Sequence, residues 1–371
     1  MRRIAIALLL SCCVVPVASA QEPTRELAGA TTCRAREPIE LGTSAVRTLR
    51  AELAFTADGR GLAVWTAGTH ELHARAIREG ELGSLVTGIQ LDHGIGLGAL
   101  APAGERGFIA VATQPICNRY GSACLRARAL GLDGAALGPP HEPDPRDQWD
   151  SITAQARVPD GLVIAYMPRW SSNIEIFRIG DDGAIARESH PLRAECTGDS
   201  PIHALAADGT SVVAFGQSCM APPSQRFVLA LGGRRQPVYA LPESAQVERF
   251  TVAGGVATVV FRTGSLRARL VRVAVEDGRV VEGPIVLESG SLPADVAAVV
   301  VPELVTQRGR LMLRRADVAG AVVGPPIEIA RVGPRAVSRL AWSGGRFHVL
   351  YATREGRTWT IRMRAVSCGT E

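Results

Sequence analysis

Phe55-Thr56-Ala57-Asp58-Gly59-Arg60-Gly61-Leu62-Ala63-Val64-Trp65 is an apolar run, a glycine-bearing turn and a second apolar run. Its recurrence along the chain decides the fold. Asp-Gly and Gly-Gly pairs supply the positive φ angles of a tight hairpin, so the stretch reads as two antiparallel strands. The unit returns at Leu100 to Val111 through Ala103-Gly104-Glu105-Arg106-Gly107, at Ala156 to Tyr166 through Pro159-Asp160-Gly161, and at Leu205 to Phe215 through Ala207-Asp208-Gly209. Two more copies are Phe250 to Phe261, turning at Ala253-Gly254-Gly255, and Leu340 to Tyr351, turning at Ser343-Gly344-Gly345. The first residues after the turns, Leu62, Phe108, Leu162, Val212, Val256 and Phe347, are separated by 46, 54, 50, 44 and 91 residues. The last interval holds two periods. The missing copy is expected within Val296 to Arg315, with Val299-Val300-Val301 and Leu304-Val305-Thr306 as its two runs about Pro302-Glu303. That makes seven units.

Each unit continues into a third strand that alternates Arg with apolar residues, as in Leu72 to Arg78, Leu125 to Leu130, Ile174 to Ile179, Phe227 to Leu231, Arg267 to Val275, Arg310 to Arg315 and Trp359 to Val366. Alternation implies one wet face. A fourth, Pro-flanked segment follows in Pro139-Pro140, in Gly283-Pro284-Ile285-Val286-Leu287 and in Gly324-Pro325-Pro326-Ile327-Glu328-Ile329. Proline cannot donate to a ladder and belongs on an edge strand. Four strands with a Pro-bearing outermost member describe a propeller blade, so the expected fold is an all-β, seven-bladed β-propeller with four-stranded blades. The last unit ends after its third strand, and Glu37-Pro38-Ile39-Glu40-Leu41-Gly42 reads like the fourth segments. Threading it beside Trp359 to Val366 completes the last blade with the N-terminal strand and hides a raw sheet edge.

Residues 1 to 20 carry Arg2-Arg3, an apolar stretch from Ile4 to Val17 and Ala18-Ser19-Ala20, the tripartite pattern of a secretory signal peptide. Residues 21 to 32 then form a leader segment and 33 to 371 one propeller domain. The apolar stretch is too short and too broken for a membrane anchor; a lipoprotein cut before Cys12 is the competing reading. Export to the periplasm or beyond suits the remaining cysteines, Cys33, Cys117, Cys124, Cys196, Cys219 and Cys368, an even set of the kind that forms disulfides. Of the 15 possible pairings, the blade map selects Cys33 with Cys368 across the closure, Cys117 with Cys124, and Cys196 with Cys219. None makes a CxxC or has a nearby His, so no zinc site is expected.

The chain of 371 residues carries a net charge of +5, all of its basic residues being Arg. A balance this mild gives no grounds for a nucleic-acid partner or an anionic membrane surface. No later stretch is long and apolar enough to span a bilayer as a helix.

From about residue 33 to 369 the chain resembles the broad superfamily of bacterial exported β-propellers, through this generic blade motif. It lacks the Ser-x-Asp-x-Gly-x-x-Trp box of sialidases, the regular Gly-His and Trp-Asp pairs of WD40 blades and the tryptophan-docking ring of quinoprotein dehydrogenases. The resemblance implies fold and compartment rather than activity. It also implies a ligand face at the channel mouth, formed by loops from fourth to first and from second to third strands. Those loops offer Asp92, His93, Trp149, Asp150, Asp199, Asp295 and Arg335 from one set, and Arg119, Tyr120, Arg169, Trp170, Arg262 and Arg354 from the other. Loop tryptophans Trp149 and Trp170 are the better contact residues, whereas Trp65 and Trp342 read as core. Asp150-Ser151 and Asp199-Ser200 stand at equivalent points, where a ring of carboxylates would suit calcium. Asp and Ser more often cap turns, so neither a metal nor another cofactor is expected. His190, His203 and His348 read as structural, and no Gly-x-Ser-x-Gly nucleophile elbow or phosphate loop is found. The resulting expectation is an exported, noncatalytic binding or scaffold protein that recognises a protein or glycan. Its alternative is a metal-assisted hydrolase or lyase with an acidic site at the channel mouth.

Overall fold

The computed structural model describes residues 32–369 apart from 69–70, 91–95, 115–123, 143–148, 159–160, 169–172, 194–201, 208–211, 219–224, 232–236, 243–244, 264–267, 287–299, 318–323 and 334–335. Among the described residues every regular element is a β-strand, and the strands form seven small antiparallel sheets. The chain begins with β1 (Thr32–Ala35) and β2 (Ile39–Ser44). The first sheet follows as β3 (Ala51–Phe55), β4 (Arg60–Thr66), β5 (Glu71–Arg78) and β6 (Glu81–Gln90), and the second as β7 (Gly96–Ala103), β8 (Gly107–Gln114) and β9 (Cys124–Gly131). The third comprises β10 (Trp149–Val158), β11 (Gly161–Pro168), β12 (Asn173–Gly180) and β13 (Ile185–Arg193). The fourth comprises β14 (Ile202–Ala207), β15 (Val212–Ser218), β16 (Gln225–Leu231) and β17 (Pro237–Leu241). The fifth is β18 (Ala245–Ala253), β19 (Val256–Thr263), β20 (Arg269–Ala274) and β21 (Val280–Val286), and the sixth β22 (Val300–Gln307), β23 (Arg310–Asp317) and β24 (Ile327–Arg331). The last is built on β25 (Val337–Ser343), β26 (Arg346–Glu355) and β27 (Thr358–Gly369).

Burial falls across the first sheet in the order the strands leave the chain. β3 is buried throughout and β4 nearly so, β5 alternates and β6 is mostly exposed. The leading strands of successive sheets neighbour one another: β3 packs on both β7 and β25, β22 on β25, β10 on β14 and β14 on β18. The cores lie between the sheets. Leu41, Leu53, Phe55 and Trp65 meet Leu350, Trp359 and Met363 between the first and last sheets. Leu62 and Val64 meet Leu97 and Phe108 between first and second, and Val111 meets Ile164 and Phe177 between second and third. Burying a side chain of this size stabilises by about 1.5–3 kcal/mol. Repetition also shows in the backbone. The leading strands β7, β10 and β18 are irregular at the same level, between Leu97 and Ala99, Ile152 and Ala154, and Val247 and Arg249, and β14 is irregular one residue nearer its hairpin end, between Ile202 and Ala204.

The expected closure is present. β2 pairs with β27, Ile39 opposite Met363 and Ser44 opposite Trp359, and β1 pairs with the end of the same strand, Cys33 opposite Cys368. These two cysteines form a disulfide. Thr32, assigned to the leader segment, already belongs to β1. Residues 1–31 lie outside the described residues, and the signal-peptide reading with them.

The sixth unit differs from expectation. Val300 to Gln307 is one strand, and the corner lies at Arg308-Gly309, both in the left-handed region (φ 50° and 75°). Arg310 to Arg315, expected as a third strand, is therefore the second, and Ile327–Arg331 pairs with it as the third. Pro302 misled the reading: it stands inside a strand whose other edge has no sheet partner, where its missing donor costs no ladder bond. Four strands per sheet is likewise not general. Among the described residues the second and sixth sheets have three, and the last has five once β1 and β2 join it. In the second sheet the Pro-flanked segment contributes only the bridges Leu130–Ala136 and Ala127–His141.

Candidate functional site

β3 starts immediately after a connection that is held at both ends. Ser44 Oγ donates to the Thr66 carbonyl at 2.7 Å, the Arg50 amide donates to Thr66 Oγ1 at 3.0 Å, and Trp359 Nε1 donates to the Val46 carbonyl at 2.9 Å. The second residue of the strand is Glu52, a carboxylate in an otherwise apolar pentapeptide. Its Oε1 accepts a hydrogen bond from Arg339 Nε at 2.7 Å, from β25 of the last sheet. Arg339 Nη1 donates to the Ser338 carbonyl at 2.9 Å. The Glu52 side chain is 11% exposed and that of Arg339 34%, so the pair is reached from the guanidinium side. Burial pushes the Glu52 carboxyl up to about 7, against the downward pull of the Arg339 and Arg50 charges. A carboxyl with that affinity for protons exchanges them near neutrality, and the adjacent guanidinium can steady a developing negative charge.

His348, on β26, is another buried ionisable group. Its ring lies 4.2 Å from that of Phe55, and its Nδ1 is buried without a hydrogen-bond partner. Burial holds it down to about 4, so it is neutral at physiological pH, in line with a structural role. His73 Nε2 lies 3.0 Å from Glu71 Oε1, which also accepts from the Gly88 amide at 2.8 Å. Those two bonds keep the Glu71 carboxyl below its ordinary value. Trp65 is fully buried, donating Nε1 to the Thr43 carbonyl at 3.3 Å. Trp342 is half-buried with Phe347 edge-on at 4.6 Å.

Of the residues expected on the ligand face, Asp92, His93, Arg119, Tyr120, Arg169, Trp170, Asp199, Asp295 and Arg335 lie outside the described residues, as do Cys117, Cys196 and Cys219. The backbones of Trp149 and Asp150 are described at the start of β10, and that of Cys124 at the start of β9. Arg354 is exposed and stacks on the Trp359 ring at 5.4 Å. Among the described residues no three His, Cys, Asp or Glu side chains gather as a metal site would require, and no helix is long and apolar enough to cross a membrane. Glu52 and Arg339 were not singled out from the sequence. The available signal was a charge within the first three residues of a leading strand, the end at which Trp149 and Asp150 also stand.

A scan of protein families finds no match to this chain, and a search of curated proteins finds none. Among solved structures it is similar to a puromycin hydrolase (16% identity, 91% of this chain and 53% of that one, TM-score 0.49) and to one of two prolyl endopeptidases (15%, 88% and 47%, TM-score 0.44). It is also similar to a putative 6-phosphogluconolactonase from Bacteroides fragilis (12%, 83% and 92%, TM-score 0.45). The chain spans about half the length of the peptidases it matches. The neighbours are peptidases and other hydrolases, which corrects the expectation of a noncatalytic binding or scaffold protein. Likeness at this level carries no argument about mechanism, which has to come from the chain's own residues.

Proposed function

We propose that the chain is a seven-bladed β-propeller that serves a hydrolytic reaction, with Glu52 at the mouth of its central channel as the proton-transferring group and Arg339 beside it as the stabiliser of negative charge. The observation that carries this reading is the Glu52–Arg339 pair: a carboxyl held near neutrality, at the starting end of two adjacent leading strands. Seven sheets, the contacts among leading strands and a last sheet closed by the N-terminal strands support the wheel. Leading strands gathered about one axis would line its channel. The disulfide across the closure suits an exported protein. A metal-assisted form of the reaction turns on Asp92, Asp150, Asp199 and Asp295, of which only the Asp150 backbone is described.

The test is turnover of a panel of chromogenic esters, anilides and lactones by the full chain and by Glu52→Gln, which keeps the side chain's shape. The expected result is hydrolysis of at least one class, reduced about 100-fold or more in kcat by the substitution, with the melting midpoint retained. Equal rates in the two proteins, or no turnover of any class, would refute the reading.

A further inference from the structure

The connection from β2 to β3 carries Arg47 and Arg50, and the end of β26 with its turn into β27 carries Arg354 and Arg357. The ladders bring these segments to one end of the last and first sheets. Trp359 on β27 lies opposite both Ser44, where the connection leaves β2, and Arg354 on β26. It joins the two sides: its Nε1 donates to the Val46 carbonyl at 2.9 Å, and the Arg354 guanidinium lies over its ring at 5.4 Å. The connection is also tied to the first sheet. Ser44 Oγ donates to the Thr66 carbonyl at 2.7 Å; the Arg50 amide donates to Thr66 Oγ1 at 3.0 Å, and the Arg50 carbonyl accepts from the Thr66 amide at 2.9 Å. Arg47 and Arg50 are therefore carried on backbone fixed at both ends, and Arg354 is steadied by an aromatic face. Order established in advance reduces what a ligand must impose on binding.

Arg47, Arg50, Arg354 and Arg357 are exposed, and none of them makes an ion pair among the described residues. Two carboxylates at the same end are already engaged: Glu52 is buried against Arg339, and Glu71 is held by His73 and the Gly88 amide. Among the described residues that leaves Glu355 as the exposed carboxylate beside four guanidiniums. Charge of one sign gathered on a fixed surface attracts the opposite sign, and four guanidiniums spread over two segments exceed what one small anion can engage. We infer that this end of the last and first sheets docks an acidic polypeptide segment, its successive side-chain carboxylates taken up by the planar forks of the arginines. The surroundings favour a polypeptide over other polyanions. Trp359, the ring at the centre, is 4% exposed and covered by Arg354, so it offers no face on which a base or a sugar could stack. The large apolar side chains exposed among the described residues, Leu85, Leu137, Val280, Val281 and Val286, lie elsewhere, so none stands beside the arginines to enter a bilayer. Carboxylates on an extended chain need neither.

This inference rests on contacts within and between two adjacent sheets, and on neither the blade count nor hydrolysis. The probe is a fluorescein-labelled hexaglutamate peptide, titrated with the full chain and followed by anisotropy. Saturable binding is expected, weaker in about 200 mM salt than in about 50 mM, and absent for hexaglutamine. Arg47→Gln, Arg354→Gln and Arg357→Gln are each expected to weaken it about two- to fivefold, and the three together about tenfold or more, with the melting midpoint retained because all three side chains are exposed. Arg354→Lys keeps the charge and loses the planar fork, and is expected to fall between Arg354→Gln and the unaltered chain. Arg308→Gln, exposed at the hairpin corner of the sixth sheet, controls for net charge and is expected to change nothing. The inference is overturned by no saturable binding in about 50 mM salt, by an equal loss in Arg308→Gln, or by heparin or phosphatidylglycerol vesicles binding through the same arginines more tightly than the peptide. Peptide binding without turnover of the ester, anilide and lactone panel would remove the hydrolytic reading and leave this one standing; turnover without peptide binding would do the reverse.

Discussion

Glu52 and His348 are buried in oppositely biased forms, and that has a measurable signature in stability. Glu52 holds its proton more tightly folded than unfolded, so its contribution is full below about 4.5 and is lost as pH rises through about 7. His348 binds its proton more weakly folded, so its contribution is full above 6.5 and is lost as pH falls through about 4. Between about 4.5 and 6.5 the two slopes oppose each other. Chemical denaturation across pH 4 to 8 is expected to separate them. Glu52→Gln should gain on the unaltered chain as pH rises from 4.5 to 7, and His348→Leu should gain as pH falls from 6.5 to 4. Each gain reaches about 3 kcal/mol at most, one pKa unit being worth about 1.4 kcal/mol. Parallel curves for any of the three proteins would show that the residue changed does not titrate as its burial requires. The unpartnered Nδ1 of His348 makes its loss cheap, because removing an unsatisfied polar group relieves its desolvation.

Turns and strands follow local rules that were largely legible. The hairpin corners at Gly254-Gly255 and Gly344-Gly345 have the positive φ pairs that the Gly-Gly signal requires, and the alternating third strands appear as β5, β9, β12, β16, β20 and β27. The sixth unit was misassigned because Pro302 was read as a turn, while the corner at Arg308-Gly309 puts a non-glycine residue at positive φ, which composition does not announce. The candidate pair is illegible for a different reason: Glu52 and Arg339 lie 287 positions apart, and only the packing of β3 on β25 brings them together. Two glycines test the element scale. Gly309→Ala places a side chain at φ 75° with open surroundings, its added Cβ meeting only the Val332 carbonyl oxygen at 3.5 Å, so a loss of about 1 kcal/mol is expected. Gly61→Ala drives the Cβ to 2.4 Å from a ring carbon of buried Phe55, and overpacking of that kind costs about 1–3 kcal/mol. Pairing it with Phe55→Leu should recover part of that loss in a double-mutant cycle, whereas Gly309→Ala with Phe55→Leu should be additive.

For the whole molecule, the decisive feature is that both described ends of the chain enter one sheet and are covalently joined there. On the chain-entropy account a crosslink over 335 positions removes unfolded-state freedom worth about 6 kcal/mol. Cys33→Ser and Cys368→Ser are therefore expected to lower the melting midpoint alike, and the double substitution no further, since each single change already breaks the bond. Different midpoints for the two single variants would show that something other than the bond is lost. A nonreduced peptide map is expected to join the Cys33 and Cys368 peptides. β1 and β2 remain paired with β27 after reduction, so the reduced chain should melt earlier in one cooperative step rather than fall apart sheet by sheet.

The position of that bond also decides how the protein answers to tension. A force applied through handles beyond Cys33 and Cys368 runs straight across the two sulfurs, and everything strung between them is mechanically shielded. Pulled in oxidising buffer, the folded body should yield almost no extension; with reductant, β1 and β2 are stripped from β27 first and the remainder then pays out about 1,100–1,200 Å of contour length. An unfoldase that pulls from either end of the chain would meet the same obstacle, because it has to thread two strands at once before any sheet can be unravelled.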